Sequence, residues 1–486
     1  MNEHATAPAS GADTSFDNKL TRDDKTWGGE FGALFKLGWP LIVAQLAQNA
    51  LLTTDVIMIG WLGGKYLAAA ALANALFICI QLFGVGVTSA VAPMVAQAIG
   101  KGDLRSVRRT VRQGFWVAIV LVALLFPIAW NIRPIYDSIG QDPELSALAE
   151  IFVHYAIWLF VPAFMIVVAR SFLSALGATR AILVITLIGV VMNFVCNYVL
   201  IFGNWGFPRL ELAGAGIATT LVNFAMLAMM LGYIVTHRRY RRYHILARFF
   251  EPDWSRFFEI WRIGGPIGFM LLAEVGLFTC AALLQGWLGT AEVAAHSVAL
   301  QLAAIAFMVP LGLGQATTVR VGIAVGENNP EGVRKAGWSA LLATLLFMSL
   351  TCALFLVIPH QLVSLFLDPT NAENFRILTL AASYLGIVAL FQLADGAQVA
   401  MVSALRGISD TKVPLVVGLV GYWAVGAPVA YLLGFHTGLR GIGIWLGLAL
   451  GLVVVAVVLI ARFSLREKFG LVRAMTRRDP APVLGA

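Results

Sequence analysis

Twelve apolar stretches, each about as long as a bilayer is thick, account for most of this 486-residue sequence. A transmembrane helix needs about 20 apolar residues, and the backbone inside a bilayer must satisfy its own hydrogen bonds. Charged residues make up 12% of the chain, against about 25% in soluble proteins. We therefore predict an all-α membrane protein. The predicted spans are 37–63, 66–92, 113–133, 151–174, 181–203, 212–236, 263–289, 293–319, 336–359, 377–404, 413–435 and 441–461.

The distribution of Lys and Arg predicts the orientation of these helices. If the N-terminus is cytoplasmic, only five of the 34 basic residues fall in outer segments. This bias predicts both termini in the cytoplasm, by the positive-inside rule. It also accounts for the net charge of +8, so we expect no nucleic-acid partner. The five exceptions are Lys65, Arg133, Arg209, Arg376 and Arg440.

The two halves of the chain repeat with an offset of 226 residues. Each half has six predicted spans, so both enter the membrane in the same direction. Parallel repeats predict two six-helix bundles related by a pseudo-twofold axis, with a central cleft between them. The aligned pairs are Pro40 and Pro266, Gly86 and Gly312, Gly100 and Gly326, and the Gly-Trp-Leu-Gly segments at 60–63 and 286–289.

This repeat divides the chain into two lobes, a linker and two tails. The linker mixes Arg with Tyr, Phe and Trp, which is typical of a segment on an anionic membrane surface. A solvated linker is the alternative interpretation. The predicted segments are a disordered cytoplasmic tail at 1–30, an N-terminal lobe at 31–236, a cytoplasmic linker at 237–258, a C-terminal lobe at 259–463 and a cytoplasmic tail at 464–486.

Three acidic residues, Asp55, Glu274 and Asp395, lie inside the predicted spans. A charged acid at the bilayer centre costs about 2.5–3.5 kcal/mol, and we expect no intramembrane Lys or Arg to neutralise it. Each acid should therefore be protonated, bind a cation or face water, unless it only bonds a neighbouring helix. Competition between an inorganic ion and an organic cation for such carboxylates is sufficient for antiport. In the repeat, Glu274 aligns with Gln48 and Asp55 with Ala281, so we expect either that the lobes bind different ligands or that only one lobe drives coupling.

Other polar and aromatic side chains extend these sites. Asn193 and Asn197 are four residues apart and share a helix face. Their carbonyl oxygens, together with Asp55, suit a hard cation such as sodium. Interhelical hydrogen bonding is the alternative. Phe391, one turn before Asp395, offers a ring to a flat organic cation or packs in the core.

Several local sequences resemble the multidrug and toxic compound extrusion (MATE) family. GWPLIVAQLAQNALLTTDVIMIGWLGG resembles its first helix, and VAQAIGKGDLRSVRR and VGIAVGENNPEGVRK resemble two of its loops. NFVCNYVLIFG and ADGAQVAMVSALRGISDTKVP are similar to its fifth and tenth helices. The set of Asp55, Glu274 and Asp395 is similar to the NorM branch. Asn197 stands where the DinF branch has an aspartate, which argues against a proton-only switch in the first lobe.

The resemblance implies a V-shaped pair of bundles that exports organic cations, such as dyes and fluoroquinolones, in exchange for sodium or protons. We expect a monomeric exporter in a bacterial inner membrane, with no cofactor besides the coupling ion. The alternatives are a flippase for lipid-linked precursors and a receptor or scaffold. The sequence contains no G-x-x-x-x-G-K-[ST] and no H-E-x-x-H motif, so we predict neither an ATP-driven motor nor an enzyme.

These inferences assign residues to two roles. The residues assigned to ion coupling are Asp55, Asn193, Asn197, Glu274 and Asp395. The residues assigned to substrate binding are Asp55, Glu274, Asp395 and Phe391.

Overall fold

A computed structural model describes residues 26–472, except for residues 139, 246 and 369–373. This part of the chain has twelve helices that are long and apolar enough to cross a membrane, and no β-strand. The predicted all-α class is confirmed. The helices are α1 (Trp27–Gly60), α2 (Gly64–Gly100), α3 (Leu104–Trp130), α4 (Pro143–Ala175), α5 (Thr179–Phe202), α6 (Glu211–Thr236), α7 (Trp254–Leu288), α8 (Thr290–Gly326), α9 (Pro330–Val357), α10 (Phe375–Gly407), α11 (Lys412–Phe435) and α12 (Arg440–Ser464).

Several helices extend beyond the predicted spans, because hydropathy detects the apolar part of a helix and not its polar turns. Thr26 caps α1 by accepting a hydrogen bond from the Gly29 amide at 3.1 Å, so residues 27–30 are helical rather than part of a tail. Helix α7 begins at Trp254, inside the predicted linker 237–258, whose bounds stay a prediction. Residues 1–25 and 473–486, which hold most of the predicted tails, lie outside the described residues.

The linker between α6 and α7 contains one short helix, Arg238–Arg241, rather than a long interfacial helix. Tyr240 and Tyr243 are buried in the core of the first half, so the linker is held by packing. Asp253 caps α7 and forms an ion pair of 2.5 Å with Arg109 of α3. The hydrogen bond from this guanidinium lowers the pKa of Asp253.

Two hydrophobic cores hold the helices together. One is built mainly from α1–α6 and the other from α7–α12. The outer faces of the helices keep large apolar side chains exposed, such as Leu350 at 68% and Val357 at 77%. Extensive exposed apolar surface is expected where a helix faces lipid. The cores lie on either side of the linker, and the lobe boundaries at 31–236 and 259–463 stay a prediction.

The two lobes touch through glycines arranged with twofold pseudosymmetry. A Cβ on Gly86 of α2 would lie 2.4 Å from the Cα of Gly268 in α7. Gly312 of α8 is the repeat equivalent of Gly86, and its Cβ would lie 2.7 Å from the Cα of Ile42 in α1. Ile42 is in turn the equivalent of Gly268 at the same offset. These reciprocal contacts are the geometry of an isologous interface.

Another equivalent pair marks the pseudo-twofold axis. A Cβ on Gly100 would lie 3.0 Å from the Cα of Gly326, and the reverse distance is 2.9 Å. Two equivalent residues that touch each other must lie beside the axis that relates them. We call this region the contact zone. It comprises Gly38, Ile42, Gly86 and Gly100 of the first half and Gly264, Gly268, Gly312 and Gly326 of the second.

An asymmetric ion pair stabilises the contact zone. Arg320 of α8 donates to both carboxylate oxygens of Glu30 in α1, at 2.9 and 2.6 Å. Glu30 is 1% exposed and Arg320 is 5% exposed. Gln97 of α2 also donates across the lobes, to the Gly407 carbonyl at 2.8 Å. These contacts hold the lobes together at the end where α1 begins.

We expect the substitution Glu30→Gln to weaken closure of the contact zone. Removing one partner of a buried ion pair costs about 3–5 kcal/mol, because the other charge stays buried. Spin labels at the exposed positions Lys101 and Glu331, in a background without the native cysteines, should move apart. Double electron–electron resonance measures this distance.

The matched control is Asp410→Asn, which breaks the half-buried ion pair between Asp410 and Arg462 within the C-terminal lobe. That variant should lose thermal stability without a longer label distance. An unchanged distance in Glu30→Gln would contradict the role given to this ion pair.

Candidate functional site

Asp55 lies between α1, α5 and α6, inside the N-terminal lobe. Its Oδ1 accepts hydrogen bonds from the side-chain amides of Asn193 at 2.9 Å and Asn197 at 2.5 Å. Its Oδ2 accepts one from the Thr219 hydroxyl at 3.0 Å. The structure therefore brings together three residues that the sequence analysis grouped. Thr219 was missed, because nothing in the sequence distinguishes it from the adjacent Thr220.

This cluster has oxygen atoms suited to a small hard cation. The Asn193 Oδ1 accepts from Asn197 at 3.2 Å, whereas the Asn197 Oδ1 is buried without a hydrogen bond in the described structure. An unpartnered buried oxygen is unfavourable and suggests a missing partner. A half-turn of either amide would direct its oxygen toward a cation bound by Asp55. Together with the Thr219 hydroxyl, these groups supply the oxygen ligands that hard cations prefer.

Glu274 and Asp395 form a second acidic cluster, in the C-terminal lobe. They are close enough to interact electrostatically, and neither shows a hydrogen bond to the residues that the structure describes. Asp395 is 6% exposed, and its Oδ1 is buried without a partner. Tyr422 lies within electrostatic range of both acids, on the π-helical turn Val420–Gly426 of α11. Such turns recur at functional sites.

Unpartnered polar atoms surround Asp395. Both side-chain polar atoms of Gln392 and the Oε1 of Gln398 are buried without hydrogen bonds among the described residues. Each such group costs about 1–3 kcal/mol, so a bound ion or water would stabilise the cluster. Gln392 and Gln398 lie three residues before and after Asp395, and this helical spacing could have revealed them from the sequence.

The expectation that no Arg lies inside the membrane spans is wrong. Arg170 is in α4 and Arg406 is in the last turn of α10, which continues beyond the predicted end at 404. Arg406 interacts electrostatically with Glu274. With all groups ionised, Glu274, Asp395 and Arg406 together carry one net negative charge, which matches a single monovalent cation.

The structure does not place Phe391 in the cleft. Its side chain is 2% exposed and packs edge-on against Phe278 and Trp445, with ring centroids 6.1 and 5.6 Å apart. The structure therefore fits the interpretation that Phe391 packs in the core. It does not fit the interpretation that the Phe391 ring contacts an organic cation.

The two acidic clusters are separate. Asp55 bonds only to side chains of α5 and α6, within the first lobe. Glu274 and Asp395 interact with groups of α10 and α11, within the second lobe. The described part of the chain contains no group of three or more His, Cys, Asp or Glu residues that could hold a metal ion. An ion at either cluster would thus depend on amide or hydroxyl oxygens as well.

We expect Thr219→Val to lower the free energy of unfolding by about 1.5–3 kcal/mol, since it removes a hydrogen bond to a charged group. Thermal unfolding in detergent, combined with Asp55→Asn in a double-mutant cycle, measures the coupling between the two residues. Thr220→Val is the control, because the Thr220 hydroxyl donates to the Tyr155 carbonyl instead. Equal coupling to Asp55 for both threonines would contradict this assignment.

Comparison with known proteins identifies relatives across nearly the whole chain. A family model described as MatE matches residues 40–199 and 266–432. The probable multidrug resistance protein NorM of Mesorhizobium japonicum is 42% identical, over 94% of this chain and 98% of that protein. The corresponding protein of Rhizobium meliloti is 43% identical, over 92% of this chain and 96% of that protein.

Solved structures give the same fold. A MATE protein in complex with MaL6 matches with a TM-score of 0.84 and 21% identity, over 94% of this chain and 99% of that one. A multidrug resistance MATE transporter in an outward-facing conformation matches with a TM-score of 0.83 and 21% identity, over 95% and 99%. The chain therefore belongs to the MatE family of transporters and is not an enzyme.

Proposed function

We propose that this protein is a secondary active multidrug exporter that moves organic cations in exchange for sodium or protons. The observation that carries the proposal is the pair Glu274 and Asp395, two acids without hydrogen-bond partners in the described structure. The names of the NorM relatives support multidrug efflux. Since each chain contains both lobes and a complete cleft, we propose a monomer.

Exchange follows from the charge of the C-terminal cluster. Glu274, Asp395 and Arg406 carry one net negative charge when ionised, so the cluster holds one monovalent cation at a time. An organic cation and a sodium ion or proton then compete for the same site. The alternation of two cleft conformations converts this competition into antiport. A one-for-one exchange is electroneutral and uses the chemical gradient of the ion.

The N-terminal cluster supports a separate ion site. Both carboxylate oxygens of Asp55 accept hydrogen bonds from amides and a hydroxyl, and the oxygens of these groups can serve as ligands for sodium. We therefore assign Asp55, Asn193 and Asn197 to ion binding and withdraw Asp55 from the substrate site. Occupancy of this site would stabilise the first lobe in one conformation and thereby couple the ion to the cleft.

The orientation in the membrane follows from the basic residues. Because Lys and Arg are concentrated in the loops on the side of the contact zone, we propose that this side is cytoplasmic. Both termini would then lie in the cytoplasm of a bacterial inner membrane. The contact zone closes the cleft on that side, so the structure described here would be the outward-open state.

The variants Glu274→Gln and Asp395→Asn should each lower ion-driven efflux at least about tenfold, because they remove the charge that the ion and the substrate share. Efflux of ethidium from proteoliposomes, with sodium and proton gradients imposed separately, measures this. Size-exclusion chromatography controls for folding. Glu144→Gln is the matched control, since Glu144 lies in the exposed first turn of α4. Undiminished efflux by both Glu274→Gln and Asp395→Asn would refute the proposal.

The variants Asp55→Asn and Asn193→Leu should abolish the dependence of efflux on the coupling ion. The Kd of ethidium in the absence of a gradient should stay within about twofold of the wild-type value. The physical reason is that both residues lie within one lobe and away from Glu274. Tryptophan fluorescence quenching measures binding. A parallel loss of ethidium affinity would show that Asp55 belongs to the substrate site after all.

A flippase for lipid-linked precursors is the second candidate function. Such substrates are anionic, and the presence of Arg170 inside α4 favours them. The two acids of the C-terminal cluster disfavour a polyanionic headgroup, because like charges would be brought together in low dielectric. Translocation of a fluorescent lipid diphosphate in reconstituted vesicles, without efflux of ethidium, would favour the flippase.

A further inference from the structure

Arg170 is a charged group that the proposed exchange does not use. Its guanidinium donates to the Oε1 of Gln45 at 2.7 Å, of Gln48 at 2.9 Å and of Gln315 at 3.1 Å. All three acceptors are neutral. No carboxylate of the described residues lies within ion-pair distance of this guanidinium, so its positive charge is not compensated.

Arg170 lies between the two lobes and bonds to residues of both. Gln45 and Gln48 belong to α1, whereas Gln315 belongs to α8 of the other lobe, three residues beyond Gly312 of the contact zone. The guanidinium therefore lies where the two lobes begin to touch. Gln48 is exposed, and its bond to Arg170 directs it toward the space between the lobes. Arg170 is itself half-buried, so a ligand bound beside Gln48 can reach its guanidinium.

The guanidinium of Arg170 has further N–H groups that can donate hydrogen bonds. Arginine offers five N–H groups, and the hydrogen bonds seen here use both on Nη2 and one on Nη1. The Nε–H and the second Nη1–H make no hydrogen bond within the described part of the chain. These two N–H groups lie on different edges of the guanidinium, and each can donate one charge-assisted hydrogen bond to a carboxylate.

The opposite wall of the cleft carries the opposite charge. Gln48 and Glu274 are equivalent positions of the repeat, so the pseudo-twofold axis places them at the same depth in the two lobes. Arg170 is bonded to Gln48, and Glu274 lies beside Asp395. A cleft that is positive on the N-terminal side and negative on the C-terminal side matches a zwitterion better than a simple cation.

We propose that Arg170 determines specificity by binding the carboxylate of amphoteric substrates, whose ammonium group is bound by Glu274 and Asp395. This inference deepens the proposed export function and rests on it. The substrate class is an amine joined to a carboxylate by a rigid scaffold.

The test compares ciprofloxacin, which carries a carboxylate and a piperazine amine, with its methyl ester, which keeps only the amine. We expect Arg170→Gln to raise the Kd of the free acid about tenfold or more, the usual effect of losing a charge-assisted hydrogen bond. The Kd of the ester should stay within about twofold. Calorimetry on protein in nanodiscs measures both constants without an ion gradient.

The ratio of the two Kd values, for the acid and for the ester, distinguishes recognition of the carboxylate by Arg170 from a purely structural role of Arg170. Arg170 also joins the lobes, so a purely structural role would change both constants equally and leave the ratio unchanged; that result overturns the proposal. Arg170→Lys keeps the charge but not the planar fork, and should give an intermediate ratio even if Arg170→Gln fails to fold. Arg180→Gln, an exposed arginine at the start of α5, is the control and should leave both constants unchanged.

Failure of the proposed export function has a different signature. Wild-type protein that binds the ester but does not export it along either ion gradient would contradict antiport. An unaltered acid-to-ester ratio in Arg170→Gln would contradict only the assignment of Arg170.

Discussion

The arrangement of the lobes depends on two places where helix backbones touch. One contact joins Gly86 and Gly268, and the equivalent contact joins Gly312 and Ile42. A side chain at any of these glycines would push the helices apart, because the nearest atoms belong to backbone that cannot give way. Small residues allow such close packing in a membrane, where no hydrophobic driving force draws helices together. The resulting interface joins α1 and α2 of the first half to α7 and α8 of the second.

The backbone contacts of this interface follow the sequence repeat, but the charged residues around them do not. Arg320, which pairs with Glu30, corresponds to Met94, and Glu274 corresponds to Gln48. The scaffold therefore keeps its twofold geometry where backbones touch, while each lobe has its own polar chemistry. The acidic cluster of the N-terminal lobe has one carboxylate among amides and a hydroxyl. The acidic cluster of the C-terminal lobe has two carboxylates and a guanidinium. Two lobes with one architecture and different charges can bind an ion and a substrate separately.

Much of the fold and part of the site could be predicted from the sequence. The twelve helices follow from apolar length, and Asp55, Asn193 and Asn197 were grouped correctly because an i, i+4 spacing fixes two side chains on one helix face. Phe391 shows the limit of that argument, since a single turn from Asp395 does not determine whether a ring faces the cleft or the core. Thr219 and Tyr422 are on other helices, and their approach to the acids depends on packing that local spacing does not encode.

The sequence by itself determined that the chain forms twelve membrane helices in two repeated halves, because apolar length and repeat offset are properties of the linear chain. It also determined which residue types carry the chemistry. The tertiary structure decided which of these side chains meet. Arg170 lies inside a predicted span and Arg406 lies two residues beyond one, but only the folded chain places the first among three glutamines between the lobes and the second beside Glu274. The physical reason is that electrostatic interactions depend on distances between helices, which close packing across a core fixes and one-dimensional periodicity does not.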